Sequence, residues 1–124
     1  MDWKFVGGKA VYLQIMSHIR TAVLTGHFAP GQRLPSVRDL AMDAQVNPNT
    51  MQRALRELEE EKLLTTDGTN GRFVTNDTQV LTALREALVQ ELTEKCIRQF
   101  AAFGVSAAEA SKLIAQYKEE RDED

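Results

Sequence analysis

The chain has 124 residues, 43% of them hydrophobic and 27% charged, which suits one compact domain with an appendage and excludes two full domains. Lys and Arg number 15 and Asp and Glu 18, a net charge of −3 that argues against broad electrostatic attachment to nucleic acid or to an anionic membrane. No apolar run nears the roughly eighteen residues of a membrane span, the opening MDWKFVGGK lacks the apolar stretch of a signal peptide, and one cysteine, Cys96, excludes an internal disulfide, so a cytoplasmic protein is expected.

Taken along the chain, Tyr12, Ile15, Met16, Ile19, Ala22 and Val23 recur at the three-and-four spacing of a helix buried on one face, with Gly26 placed to end it. A loop with Pro30 and Gly31 follows. Ser36, with Asp39 three residues on, reads as a capping box in front of Val37, Leu40, Ala41 and Ala44, a short second helix. Asn47-Pro48 pairs a strong N-cap with a residue preset for the first helical position, and so opens a third helix predicted to run to about Lys62. Its apolar positions are Met51, Ala54, Leu55 and Leu58. Only the residues around Gln45 and Val46 separate helices two and three, the tight joint of a helix-turn-helix. Leu64-Thr65-Thr66 and Phe73-Val74-Thr75 flank Asp67-Gly68-Thr69-Asn70-Gly71, and the Asn-Gly pair marks a hairpin turn. Three helices and a hairpin in that order describe a winged helix.

From Thr78 to Phe103 the pattern becomes one long helix with Leu81, Leu84, Leu88, Leu92, Cys96, Phe100 and Phe103 on an apolar stripe, ended by Gly104. Ser106 and Glu109 form a second capping box for a final helix expected to bury Ala110, Leu113, Ile114 and Tyr117. This helical pair carries more apolar face than two helices can cover, so it is expected to pack on the winged domain or, preferably, on a second copy of itself. The fold class that follows is mainly α, a winged helix-turn-helix at residues 1–76 and a two-helix dimerisation hairpin at 77–124. The acidic end EERDED from Glu119 reads as a frayed, solvated tail.

Charge divides the same way. Residues 1–75 hold nine Lys or Arg against eight Asp or Glu, and residues 76–124 six against ten. Between positions 33 and 56, Arg33, Arg38, Arg53 and Arg56 face only Asp39 and Asp43, so a local positive patch fits on an acidic protein. At about 100° per residue, Asn49, Gln52, Arg53 and Arg56 fall opposite the apolar sector of the third helix. Asn and Gln can pair with the edge of adenine and Arg with that of guanine, so this face has the side chains needed to read a major groove; the competing reading is a solvated helix surface. Asn47, Pro48, Asn49 and Thr50 sit beside free backbone N–H groups, a natural phosphate site, although capping alone accounts for Asn47. Arg38, next to Ser36 on helix two, can reach a phosphate or a base edge, or be an ordinary surface residue. Gly68, Thr69, Asn70, Gly71 and Arg72 can lie along a minor groove, or form a plain hairpin turn.

With these residues in view, the stretch from Pro30 to Val74 resembles the winged-helix DNA-binding domain of the GntR family of bacterial transcription regulators. The LPS-x-R-x-LA run, the VNPNT helix start and the G-x-x-G-x-FV wing carry the likeness, and Val11-Tyr12-Leu13-Gln14-Ile15 extends it to helix one. A short chain ending in a two-helix hairpin is similar to the YtrA-like subgroup, whose members lack large effector domains. The resemblance implies DNA-contacting roles for Ser36, Arg38, Asn47 to Thr50, Gln52, Arg53 and the wing residues Gly68, Gly71 and Arg72. Two departures stand out: Lys62 replaces the glycine usual after the third helix, and the wing reads GTNGRF where GxGxF is common.

No catalytic constellation is visible. His18 and His27 lack a carboxylate or cysteine at a meaningful spacing, so neither a nucleophile nor a metal site is expected, and Glu59, Glu60 and Glu61 point in different directions from a helix and read as a solvated face. Cys96 on the apolar stripe reads as a buried thiol. The expected function is a homodimeric, sequence-specific repressor without cofactor, binding a two-fold symmetric duplex DNA operator. The dimer interface would draw on Leu81, Leu84, Leu88, Leu92, Cys96, Phe100, Leu113, Ile114 and Tyr117. The family resemblance adds control of a nearby operon, often one for an ABC transporter. The rival readings are a winged helix used as a protein-interaction module and, more remotely, a small enzyme; no small-molecule effector is identified.

Overall fold

The computed structural model describes residues 1–122 along the backbone and side chains through residue 117; the expectation for the tail from Glu119 lies outside the described side chains. Among the described residues seven elements follow one another: α1 (Val11–Leu24), α2 (Val37–Ala44), α3 (Pro48–Glu60), β1 (Leu64–Asp67), β2 (Gly71–Val74), α4 (Thr78–Ala102) and α5 (Ala107–Asp122). The architecture is a winged helix followed by a helical hairpin, and it divides into two compact units, Met1–Arg85 and Glu86–Asp124.

In the first unit the expected stripes close on one another. Ile15, Met16, Ile19, Ala22 and Val23 of α1, Leu40, Ala41 and Ala44 of α2, and Met51, Ala54, Leu55 and Leu58 of α3 are all buried, joined by Phe28, Leu34, Leu63, Leu64 and Val74. Tyr12, expected in this stripe, is only partly buried at its edge, as is Val37. Leu81 and Leu84 also pack on this core, which carries the unit past residue 76 into the first turns of α4. Two of the residues expected to face a second copy are therefore already half-covered at home.

The helix ends follow local chemistry. Ser36 accepts from the Asp39 N–H at 3.1 Å and Asn47 from the Asn49 N–H at 2.8 Å. At the end of α2 the Val46 N–H reaches the Ala41 carbonyl at 3.0 Å and the Gln45 N–H that of Met42 at 3.2 Å, with Gln45 left-handed at φ 58°. This closure turns the chain within three residues and aims α3. The end of α3 repeats it: Leu63 N–H bonds Leu58 O at 3.1 Å and Lys62 N–H bonds Glu59 O at 2.9 Å, with Lys62 at φ 72°. The position that resembles a family glycine thus keeps a glycine's conformation.

The wing differs in detail from expectation. β1 and β2 pair antiparallel from Leu64↔Val74 to Asp67↔Gly71, leaving a three-residue loop in which the Asn70 N–H bonds the Asp67 carbonyl at 2.7 Å. Gly71 is therefore the first residue of β2 rather than a turn residue, and Thr75, expected in the strand, lies beyond it as a buried polar residue. The segment before α2 adds a partial third strand, with Leu34 N–H on Arg72 O and Val74 N–H on Gln32 O, both at 2.9 Å. Its single ladder pair, Arg33↔Phe73, gives too little alternation to announce a strand in the sequence.

An N-terminal strap also belongs to this unit. Trp3 donates its indole N–H to Asp43 at 2.8 Å, Gln14 exchanges two hydrogen bonds with Val6 at 2.8 and 2.9 Å, and the rings of Trp3, Phe5 and His18 cluster with centroids 5.4–6.0 Å apart.

In the second unit, α4 ends at Gly104 (φ 77°), where the Val105 and Gly104 N–H groups bond Phe100 O and Ala101 O at 3.0 and 2.9 Å, and α5 opens with Ser106 accepting from the Glu109 N–H at 3.1 Å. Of the final helix's expected buried set only Ala110 is buried. Leu113, Ile114 and Tyr117 are 46%, 55% and 64% exposed, because a two-helix hairpin has no third layer to cover them.

Candidate nucleic-acid interface

α3 is packed by one face and open on the other. Met51, Ala54, Leu55 and Leu58 have no exposed surface, while Asn49, Arg53 and Arg56 are exposed and Gln52 is partly exposed. The helix is amphipathic because its sequence is, so the polar face is fixed in direction by the burial of its opposite. At its start, Asn47, Pro48 and Asn49 are exposed and Thr50 partly so. Pro48 has no N–H, and the Asn47 oxygen takes that of Asn49, which leaves the Thr50 N–H as the first-turn donor without an intrahelical or capping partner. Ser36 and Arg38 are both exposed at the first turn of α2.

Among the described residues, Arg33, Arg38, Arg53 and Arg56 form no salt bridge, whereas Arg20 pairs with Glu61 and Arg72 with Glu59. The side chain of Arg72, a residue expected along a minor groove, is 17% exposed and its guanidinium lies on Glu59, which also accepts from the Thr66 hydroxyl at 2.7 Å. Burial raises the Glu59 carboxyl, but hydrogen bonds from Thr66 and Arg72 and the Arg72 charge outweigh it and hold the group below its ordinary value. Glu59 is therefore no part of a merely solvated face. It ties both wing strands to α3. Asp43 is likewise lowered, first by the Trp3 hydrogen bond and then by the terminal ammonium.

At the wing, Gly68 is exposed at the tip, whereas Gly71 adopts φ 108° with the Arg33 Nε 2.9 Å from where a Cβ would stand. The arginine laid along β2 beside Gly71 is thus Arg33, which the reading of wing residues alone missed; its only signal was its place in a charge cluster. The candidates left open to solvent are those of the polar face of α3, and Ser36 and Arg38 at the start of α2. Among the described residues no group of three or more His, Cys, Asp or Glu could hold a metal ion.

The model of bacterial regulatory proteins of the gntR family matches residues 11–74, from the start of α1 to the end of the wing. The chain belongs to the GntR family. It is 32% identical over 119 residues to the HTH-type transcriptional regulator YhcF of Bacillus subtilis, covering 96% of this chain and 98% of that protein. It is 34% identical over 86 residues to the HTH-type transcriptional repressor YtrA of the same organism, covering 64% and 66%. Among solved structures, a GntR family transcriptional regulator from Listeria monocytogenes superposes with a TM-score of 0.78 at 36% identity, covering 93% of this chain and 98% of that one. This GntR member is a YtrA-like, DNA-binding HTH regulator of transcription and not an enzyme. No helix among the described residues is long and apolar enough to cross a membrane.

Proposed function

We propose that this protein is a homodimeric repressor of the bacterial cytoplasm that reads a two-fold symmetric operator with α3 and controls an operon near its own gene. The observation that carries the reading is the outward face of α3: Asn49, Gln52, Arg53 and Arg56 stand opposite four fully buried residues, and neither arginine is in a salt bridge among the described residues. In this assignment Gln52 and Arg53 contact base edges, while Ser36, Arg38, Asn47, Pro48, Asn49 and Thr50 contact phosphates. Gly68 brings the wing backbone close to the duplex, and Gly71 and Arg72 hold the wing in shape for it.

The dimer rests on the second unit, where Leu92, Leu113, Ile114 and Tyr117 stay exposed, with Leu88, Cys96 and Phe100 partly so. Val89 and Ile97, 52% and 41% exposed, widen the surface beyond the expected stripe. A second copy covers such a face, and linking two winged units makes the second half-site contact intramolecular. YtrA is a repressor by name, which supports the sign of regulation.

The test is a gel shift on duplex upstream of the gene, against a scrambled duplex, with Gln52→Ala and Arg53→Ala. Each loss of a paired base contact is expected to cost about 1–3 kcal/mol of preference. Light scattering of Leu88→Glu with Leu92→Glu should give monomers. Retained preference in both single variants would remove α3 as the reader, and a persistent folded dimer would move the interface elsewhere.

A further inference from the structure

Tyr12 lies in the first turn of α1, only partly buried and packed at the edge of the core that Ile15, Met16 and Ile19 close beneath it. Its ring carries Arg53. The guanidinium carbon lies 3.7 Å from the ring centroid, directly over its face, and among the described residues Arg53 has no hydrogen bond or salt bridge. A guanidinium stacked by its face keeps its N–H edge open, the edge that forms paired hydrogen bonds to an acceptor such as guanine. An exposed arginine otherwise samples many rotamers and must surrender them on binding. We propose that Tyr12 is a positioning residue for DNA readout: its ring holds the Arg53 guanidinium in a preset orientation, so that α1 contributes to sequence preference without touching a base. This rests on the assignment of Arg53 to base contact.

The experiment uses the full chain, a duplex selected from a randomised pool by the wild-type protein, and a scrambled duplex of equal composition, with affinities read by fluorescence anisotropy. Tyr12→Leu should lower the preference for the selected duplex about two- to fivefold, the factor expected of an exposed cation–π contact, and leave scrambled DNA unaffected. Tyr12→Phe keeps the ring and should match wild type. In an Arg53→Ala background, Tyr12→Leu should add nothing. Equal loss on both duplexes, or an undiminished effect without Arg53, would overturn the positioning role while leaving Arg53 as a reader. A wild-type protein that selects no duplex would overturn the base-contact assignment and this role together. Tyr12→Met serves as a second ring-free variant should the leucine lower the melting temperature below that of the assay.

Discussion

The winged unit and the helical hairpin announce themselves in the sequence by the same sign, apolar residues three and four apart, and meet opposite fates. Met51, Ala54, Leu55 and Leu58 of α3 are sealed, whereas Leu92 of α4 is 66% exposed and Phe103 87%. Periodicity reports which face of a helix seeks cover; it does not say whether the same chain supplies it. In residues 1–85 two further helices, the wing and the strap arrive to close the core, while among the described residues of the second unit only Ala110 is buried. Charge follows suit. The three salt bridges among the described residues join Met1 to Asp43, Arg20 to Glu61 and Arg72 to Glu59, all within the winged unit.

The largest expected effect tests that contrast directly. Leu58→Ala removes a fully buried side chain and should cost about 2–5 kcal/mol in urea or thermal unfolding, independent of protein concentration. Leu92→Ala should leave the dilute chain within about 0.5 kcal/mol of wild type and lower stability only where copies associate, which makes its unfolding midpoint depend on concentration. If the two substitutions behave alike, the hairpin is covered by its own chain and the comparison breaks.

How much of this was legible follows from how far apart the partners lie. The first three helices, their caps and the joint at Gln45 and Val46 depend on neighbours within a turn or two, and they appear nearly where the sequence puts them; α3 ends at Glu60 rather than near Lys62. The reading face of α3 was legible for the same reason, needing only one helix's periodicity. The strap was not, since Trp3 finds Asp43 forty residues away and the stretch between supplies no pattern that links them. Arg72 and Glu59 meet only once the wing has folded back on α3, so a carboxylate run and a wing arginine looked like two solvent features. Tyr12 looked like core because its spacing fits the stripe, and its edge position appears only when α3 lies against α1.

A middle-sized effect sharpens the comparison at the helix ends. α3 and α4 close with the same pair of hydrogen bonds, the winged unit placing Lys62 at φ 72° where the hairpin has Gly104 at φ 77°. A side chain in that conformation costs about 1–2 kcal/mol, and glycine returns about 0.5–1 kcal/mol of this to the unfolded chain as entropy. Lys62→Gly should therefore stabilise the protein by about 0.5–1 kcal/mol, while Gly104→Ala should destabilise it by a similar amount. Both are read from denaturant midpoints, and opposite signs are the outcome that matters.

The smallest expected effect concerns the tie between wing and recognition helix. Folding lowers the Glu59 carboxyl from its ordinary 4.5, so its contribution to stability is complete above that value and disappears as pH falls through the lower folded value. Glu59→Gln keeps the shape of the side chain and removes the charge that Arg72 faces. The stability difference between wild type and Glu59→Gln should then be greatest near neutrality and close as both proteins are brought from about pH 6 to about pH 3. The other carboxylates titrate in both proteins and cancel in the difference, so the closing gap reports this one group. A gap at Glu59 that does not narrow on acidification would mean that the wing is held by strand pairing and packing alone, with the Arg72 charge contributing nothing.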